Sequence, residues 1–119
     1  MSYVDGYVLP VPKKNLKEYR RIASLAGKIW KKYGALDYKE CVGDDLKIKG
    51  MTSFTKMAKM KSNETIVFAY VVFKSRKHRD SVNAKVMKDP RIQEMCGKNV
   101  PFDVKRMSYG GFKVFVDPK

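Results

Sequence analysis

The chain has 119 residues, 44% of them hydrophobic and 12% aromatic, with a formal net charge of +14 at pH 7. That length predicts one domain, 1–119, with one modest core, and the apolar content excludes a disordered chain. No run approaches the ~20 apolar residues of a membrane helix, and the N-terminal M-S-Y-V-D-G-Y carries no basic stretch followed by an apolar one, so no secretory leader is expected.

Residues 2–11 read as a strand. Tyr3, Tyr7, Leu9 and Val11 alternate with Val4 and Val8, and Pro10 and Pro12 end it. Residues 13–33 read as a helix, because Leu16, Tyr19, Ala23, Ala26, Trp30 and Tyr33 recur at three- and four-residue steps. Asn15 and Glu18 have capping-box spacing, Lys31 and Lys32 suit the negative helix end, and Gly34 supplies a left-handed stop. A second strand is expected over 35–43, with Leu36, Tyr38, Glu40 and Val42 on one face. Residues 46–63, rich in Lys and Met, predict a long excursion with a short helix near 53–60.

The run Thr65–Phe73 is apolar on both faces: Ile66, Phe68, Tyr70 and Val72 on one, Val67, Ala69, Val71 and Phe73 on the other. Such a strand belongs mid-sheet with something packed on each side. A second helix is expected over 76–88, capped by Ser75, with Val82 and Val86 facing inward. Asp89-Pro90 then opens a further turn that stops at Gly97. The last strand is expected over 105–116, where Gly110-Gly111 marks a bulge or a close backbone approach.

This order is strand, helix, strand, strand, helix, strand: a ferredoxin-like α+β plait with a four-stranded antiparallel sheet. Two helices cover one sheet face only. The other face calls for a second copy of the chain, giving a homodimer in which two sheets face one another as a dimeric α+β barrel. With both faces so committed, a site is expected at the edges, near Asp5, Glu40 and His78.

The charge is unevenly spread. Residues 13–33 carry eight Lys/Arg against one Glu, residues 47–61 five Lys and no acid, and residues 74–91 seven Lys/Arg against two Asp. A positive field draws nucleic acid or other polyanions, and Lys13, Lys14, Lys17, Arg20, Arg21, Lys47 and Lys49 would make that contact. A solvated lysine surface is the simpler reading, since no Arg/aromatic interleaving marks a base-stacking platform. Cys41 and Cys96 lie far apart with no ligand spacing around them. They read as free thiols of a cytoplasmic protein, and no metal is expected.

The main functional expectation is a small-molecule pocket between sheet and helices, with chemistry that needs no cofactor. Whether the chain is an enzyme stays open. Glu40 sits on an apolar strand face, where desolvation suits proton transfer; a plain Lys or Arg partner is the alternative. Asp5 could be a pocket acid or could bond to Arg106 on the neighbouring last strand. His78, the one histidine, could act as acid or base, or could be an ordinary first-turn residue of its helix. Tyr19, Trp30, Tyr33 and Tyr38 could line an apolar cavity or simply fill the core. No nucleophile elbow, Walker loop or dinucleotide fingerprint is present.

Several stretches together resemble the YbaA-like family, domain of unknown function 1428. They are M-S-Y-V-D-G-Y (1–7), G-A-L (34–36), E-C-x-G-D-D (40–45), R-D (79–80), M-K-D-P-R (87–91) and P-F-D-x-K-R-M-x-Y-G-G-F (101–112). The resemblance runs over roughly 1–116 and implies the dimeric α+β barrel fold. That superfamily also holds small cofactor-free monooxygenases, dehydratases and stress proteins, and the resemblance carries over no settled activity. The basic loop 46–63 departs from the more acidic one the family leads one to expect.

Overall fold

The structure, a computed structural model, describes residues 1–97 and 99–119. Strand β1 (Tyr3–Pro12) leads through a 3-10 turn (Lys13–Asn15) into helix α1 (Leu16–Lys32). Strand β2 (Asp37–Val42), a short helix α2 (Phe54–Met57) and strand β3 (Glu64–Phe73) follow. Helices α3 (Arg76–Lys88) and α4 (Pro90–Cys96), a 3-10 turn (Val104–Arg106) and strand β4 (Ser108–Lys113) complete the chain. The four strands form one sheet in the order β2-β3-β1-β4, and the three pairings are all antiparallel. This is the ferredoxin-like α+β architecture that the order of elements predicts.

The helix-covered face holds the core. Val67, Ala69, Val71 and Phe73 of β3 are buried there with Tyr3, Asp5, Leu9 and Val11 of β1 and with Tyr19, Ala23 and Ile29 of α1. Burying a side chain such as Phe73 or Ile29 contributes about 2–3 kcal/mol. On the opposite face Ile66 is buried at one end, and the rest of the alternating set stands open. Phe68 and Phe112 are 45% and 60% exposed, and Val4, Val8, Tyr70 and Val72 are half-buried beside them. Register places Val4 between Val72 and Phe112, and Val8 opposite Phe68, so these side chains form one continuous apolar surface.

Local signals explain most boundaries. Ser75 caps α3 by accepting from the His78 N–H at 3.1 Å, Asp89 caps α4 with Pro90 at its first position, and Gly34 takes φ +117° after α1. Two expectations need correction. Asn15 does not cap α1; its amide donates to the Pro101 carbonyl, and Glu18 pairs with Arg21 instead. The last strand is shorter than 105–116. Asp103 caps a 3-10 turn over 104–106, and pairing ends near Lys113, where β1 begins opposite it. Of the two readings of Gly110-Gly111, the close approach holds: the register runs one to one, and a Cβ on Gly111 would lie 2.5 Å from Tyr3 Oη and 2.8 Å from Arg79 Nη2.

Candidate functional site

Period 2 on β2 puts Tyr38 and Glu40 on the helix-facing side, opposite Val71 and Ala69 of β3. Helix α1 crosses above them with Tyr19, Ala23 and Gly27. The absence of a side chain at Gly27 lets Tyr38 rest on the helix backbone; a Cβ there would be 2.8 Å from the ring. Around Glu40 these elements build a compact polar centre. Tyr19 Oη donates to Glu40 Oε1 at 2.6 Å, and Tyr38 Oη donates to Oε2 at 2.5 Å. Burial, followed by the charge of Glu40, pushes both phenols far above the ordinary tyrosine range, so both stay hydrogen-bond donors. Among the described residues no Lys or Arg locks the carboxylate.

Two spaces meet at this centre. A cavity of about 160 Å³ lies between sheet and helix, walled by Tyr7, Tyr19, Trp30, Tyr38, Phe102 and apolar side chains including Leu9 and Val71. An open groove of about 1110 Å³ runs along the edge strand β2 beneath α1. Tyr19, Ala23, Tyr38 and Glu40 line both. The expectation that both sheet faces are fully committed is therefore corrected. Ala23, Ser24 and Gly27 are too small to fill the space between α1 and β2. Tyr7 also lines the cavity, and its hydroxyl has no hydrogen bond among the described residues. Burial and the charge of Asp5 push that hydroxyl up as well.

The other expected residues are not gathered here. Asp5 is fully buried on β1. Its Oδ2 accepts from Asn83 Nδ2 at 3.0 Å, and Asn83 Oδ1 accepts from the Trp30 indole N–H at 3.0 Å. Arg79 Nε lies 3.6 Å from Asp5 Oδ1, and neither atom has a hydrogen bond among the described residues. Of the two readings of Asp5, the bond to Arg106 does not form. Arg106 sits in the turn before β4, level with the start of β3, and forks onto Glu64 at 2.6 and 2.7 Å, while Asp5 lies near the start of β1, opposite Val71 toward the end of β3.

His78 is a local residue at the start of α3. Its Nδ1 accepts from the Lys74 N–H, and its ring meets Phe73 edge-on. Tyr33 lies outside the cavity and donates to Asp89 at 2.7 Å. Lys13, Lys14, Lys47 and Lys49 are exposed away from the groove, and Arg21 is engaged by Glu18 at 2.6 Å. Lys17 and Arg20 line the groove. Sequence reasoning passed over Tyr7, Arg79 and Asn83. Tyr7 was visible as the residue two beyond Asp5 on one strand face; Arg79 and Asn83 became neighbours of Asp5 only through the packing of α3. Among the described residues no group of three or more His, Cys, Asp or Glu is placed to hold a metal ion.

The fold and the sequence each have known counterparts. SnoaB, a cofactor-independent oxygenase from Streptomyces nogalater, superposes with a TM-score of 0.62 at 9% identity, over 98% of this chain and 95% of that one. A NIPSNAP-like domain protein from Burkholderia xenovorans superposes with a TM-score of 0.61 at 15% identity, over 99% and 90%. At such identities the likeness is one of fold. In sequence the chain is 41% identical over 117 residues to the uncharacterized protein YbaA of Escherichia coli K12, covering 98% of this chain and 99% of that one. Residues 2–104 match the model of the family described as protein of unknown function DUF1428, and the chain belongs to that family.

Proposed function

We propose that this protein binds a small molecule in the cavity between α1 and the sheet, and that Glu40 receives an acidic O–H or C–H of that ligand. The observation that carries the reading is the pair of phenols on Glu40. With one donor on each oxygen the carboxylate is fixed in position, and each oxygen keeps a lone pair for a further donor. A base so fixed, with Tyr7 across the cavity as a free hydroxyl, suits proton removal by the chain's own groups. SnoaB shares the fold, which supports the scaffold and not the reaction.

Phenol is a suitable probe, because it is one ring with one acidic O–H. Titration should shift the indole N–H signal of Trp30, the chain's one tryptophan. Glu40→Gln should weaken the binding about tenfold, as loss of a hydrogen bond to a charged group does. Equal binding by the variant, or binding that leaves the Trp30 signal unmoved, would contradict the proposal.

The open sheet face supports a homodimer. Phe68, Phe112, Val4, Val8, Tyr70 and Val72 make a contiguous apolar surface of the kind a monomer rarely exposes. A second copy applied by a two-fold axis would cover it on both chains at once. Cys41 and Cys96, both exposed and unpaired, suit a reducing compartment such as the cytoplasm.

A further inference from the structure

We propose that the ligand is an anionic aromatic molecule: one ring in the cavity, and a carboxylate or similar acid on a short arm held by the basic rim of α1. This rests on the preceding reading of the cavity and adds the ligand's class.

Size sets the first half. A cavity near 150 Å³ with apolar walls takes a single benzene-sized ring, and this one is about 160 Å³. Its walls include the rings of Tyr7, Trp30, Tyr38 and Phe102. Such walls favour a flat partner stacked or met edge-on.

Charge sets the second half. Lys17, Arg20, Ser24, Lys28 and Lys31 recur at steps of three and four along α1, so they form one stripe, and all five line the groove. Lys31 Nζ donates to the Leu36 carbonyl at 2.9 Å. Lys17, Arg20 and Lys28 have no ion pair or hydrogen bond among the described residues. Of the acids in the groove, Asp37 is taken by Lys39 at 2.6 Å and Glu40 by its two tyrosines. The rim therefore carries three cations, Lys17, Arg20 and Lys28, with no ion pair among the described residues, beside a cavity whose lining holds the Glu40 carboxylate and no cation. Ser24, exposed at the centre of the stripe, leaves the space between them open. Arg20 offers a planar fork that matches a carboxylate. A ligand with its acid at the rim keeps that charge away from Glu40, while its ring reaches the tyrosines.

The test compares 3-phenylpropionate with its neutral isostere 3-phenylpropanamide, by calorimetry and by the Trp30 indole signal. The acid should bind about tenfold more tightly than the amide, which is the scale of two partly exposed ion pairs. The double variant Arg20→Gln/Lys28→Gln, at two exposed positions where folding is not at risk, should bring the acid down to the level of the amide and leave the amide unchanged. Equal affinities for acid and amide, with the Trp30 signal moved by both, would overturn the anionic class and leave the cavity reading standing. The same holds for an acid preference that survives the double variant. Failure of both probes to move Trp30 would overturn the cavity reading together with this one.

Discussion

Tyr38 and Glu40, two residues apart on one face of β2, are joined by a 2.5 Å O–H···O bond while Tyr19 of α1 closes on the other carboxylate oxygen. The Tyr19–Glu40 bond ties the edge strand to the helix at the place where cavity and groove meet. It also sets the pH behaviour of the phenols. A phenol raised in the folded state contributes stability below its unfolded value of 10.0, and that contribution is lost as pH rises through the folded value. Tyr7, Tyr19 and Tyr38 should therefore be missing from an alkaline absorbance titration near pH 10 and should ionise only as the chain unfolds. Glu40→Gln should bring Tyr19 and Tyr38 down toward the ordinary range. Phenolate appearing from all seven tyrosines of the chain near pH 10 in the folded protein would contradict this.

The Arg106–Glu64 fork predicts acid sensitivity. The guanidinium holds the Glu64 carboxyl at about 2, against an ordinary 4.5. Depressed in the fold, this group contributes stability in full above 4.5 and loses it as pH falls toward 2. Glu64→Gln should cost about 2–3 kcal/mol at pH 7, because it leaves Arg106 without its buried partner. Chemical denaturation at pH 7 and near pH 2 should show the gap between wild type and variant closing at the lower pH. A gap that is constant with pH would contradict the assignment.

Much of this molecule was legible in the sequence. The three- and four-residue recurrence from Leu16 to Tyr33 marked α1, and the doubly apolar run Thr65–Phe73 marked a central strand with one open face. Ser75, Gly34 and Pro90 marked boundaries, because each acts through its own backbone within a few residues. Pairings between distant segments were not legible. Neighbouring strands make an Asp5–Arg106 bond one of two readings of the sequence, and only the register shows that Arg106 lies level with the start of β3. Glu40 was singled out for its apolar face, and its two phenol partners depend on the close seat of α1 at Gly27.

Gly111 shows how tightly β4 and α3 meet over β1. Gly111→Ala would push a Cβ to 2.5 Å from Tyr3 Oη and 2.8 Å from Arg79 Nη2, breaking the Arg79–Tyr3 bond of 3.1 Å. A loss of about 1–3 kcal/mol is expected from such overpacking. Gly6→Ala, whose Cβ would meet Phe112 at an ordinary 3.4 Å, should cost less. Thermal melts that place the two variants in the reverse order would contradict this packing.

The open sheet face predicts twice the 13.7 kDa chain mass in sedimentation at micromolar concentration. Phe68→Asp puts a charge at the centre of that face, on a side chain 45% exposed in the single chain. It should yield a folded monomer with near-wild-type circular dichroism. A wild-type monomer, or a variant that remains a dimer, would contradict the interface.

The central claim, that Glu40 stands at the inner end of a ligand site, is tested most directly by a crystal structure of the protein soaked with phenol. The account predicts the ring between Tyr7, Trp30 and Tyr38, with its O–H donated to a Glu40 oxygen. A cavity filled by its own side chains, or phenol bound only on the open sheet face with Tyr19 and Tyr38 undisturbed on Glu40, would contradict it.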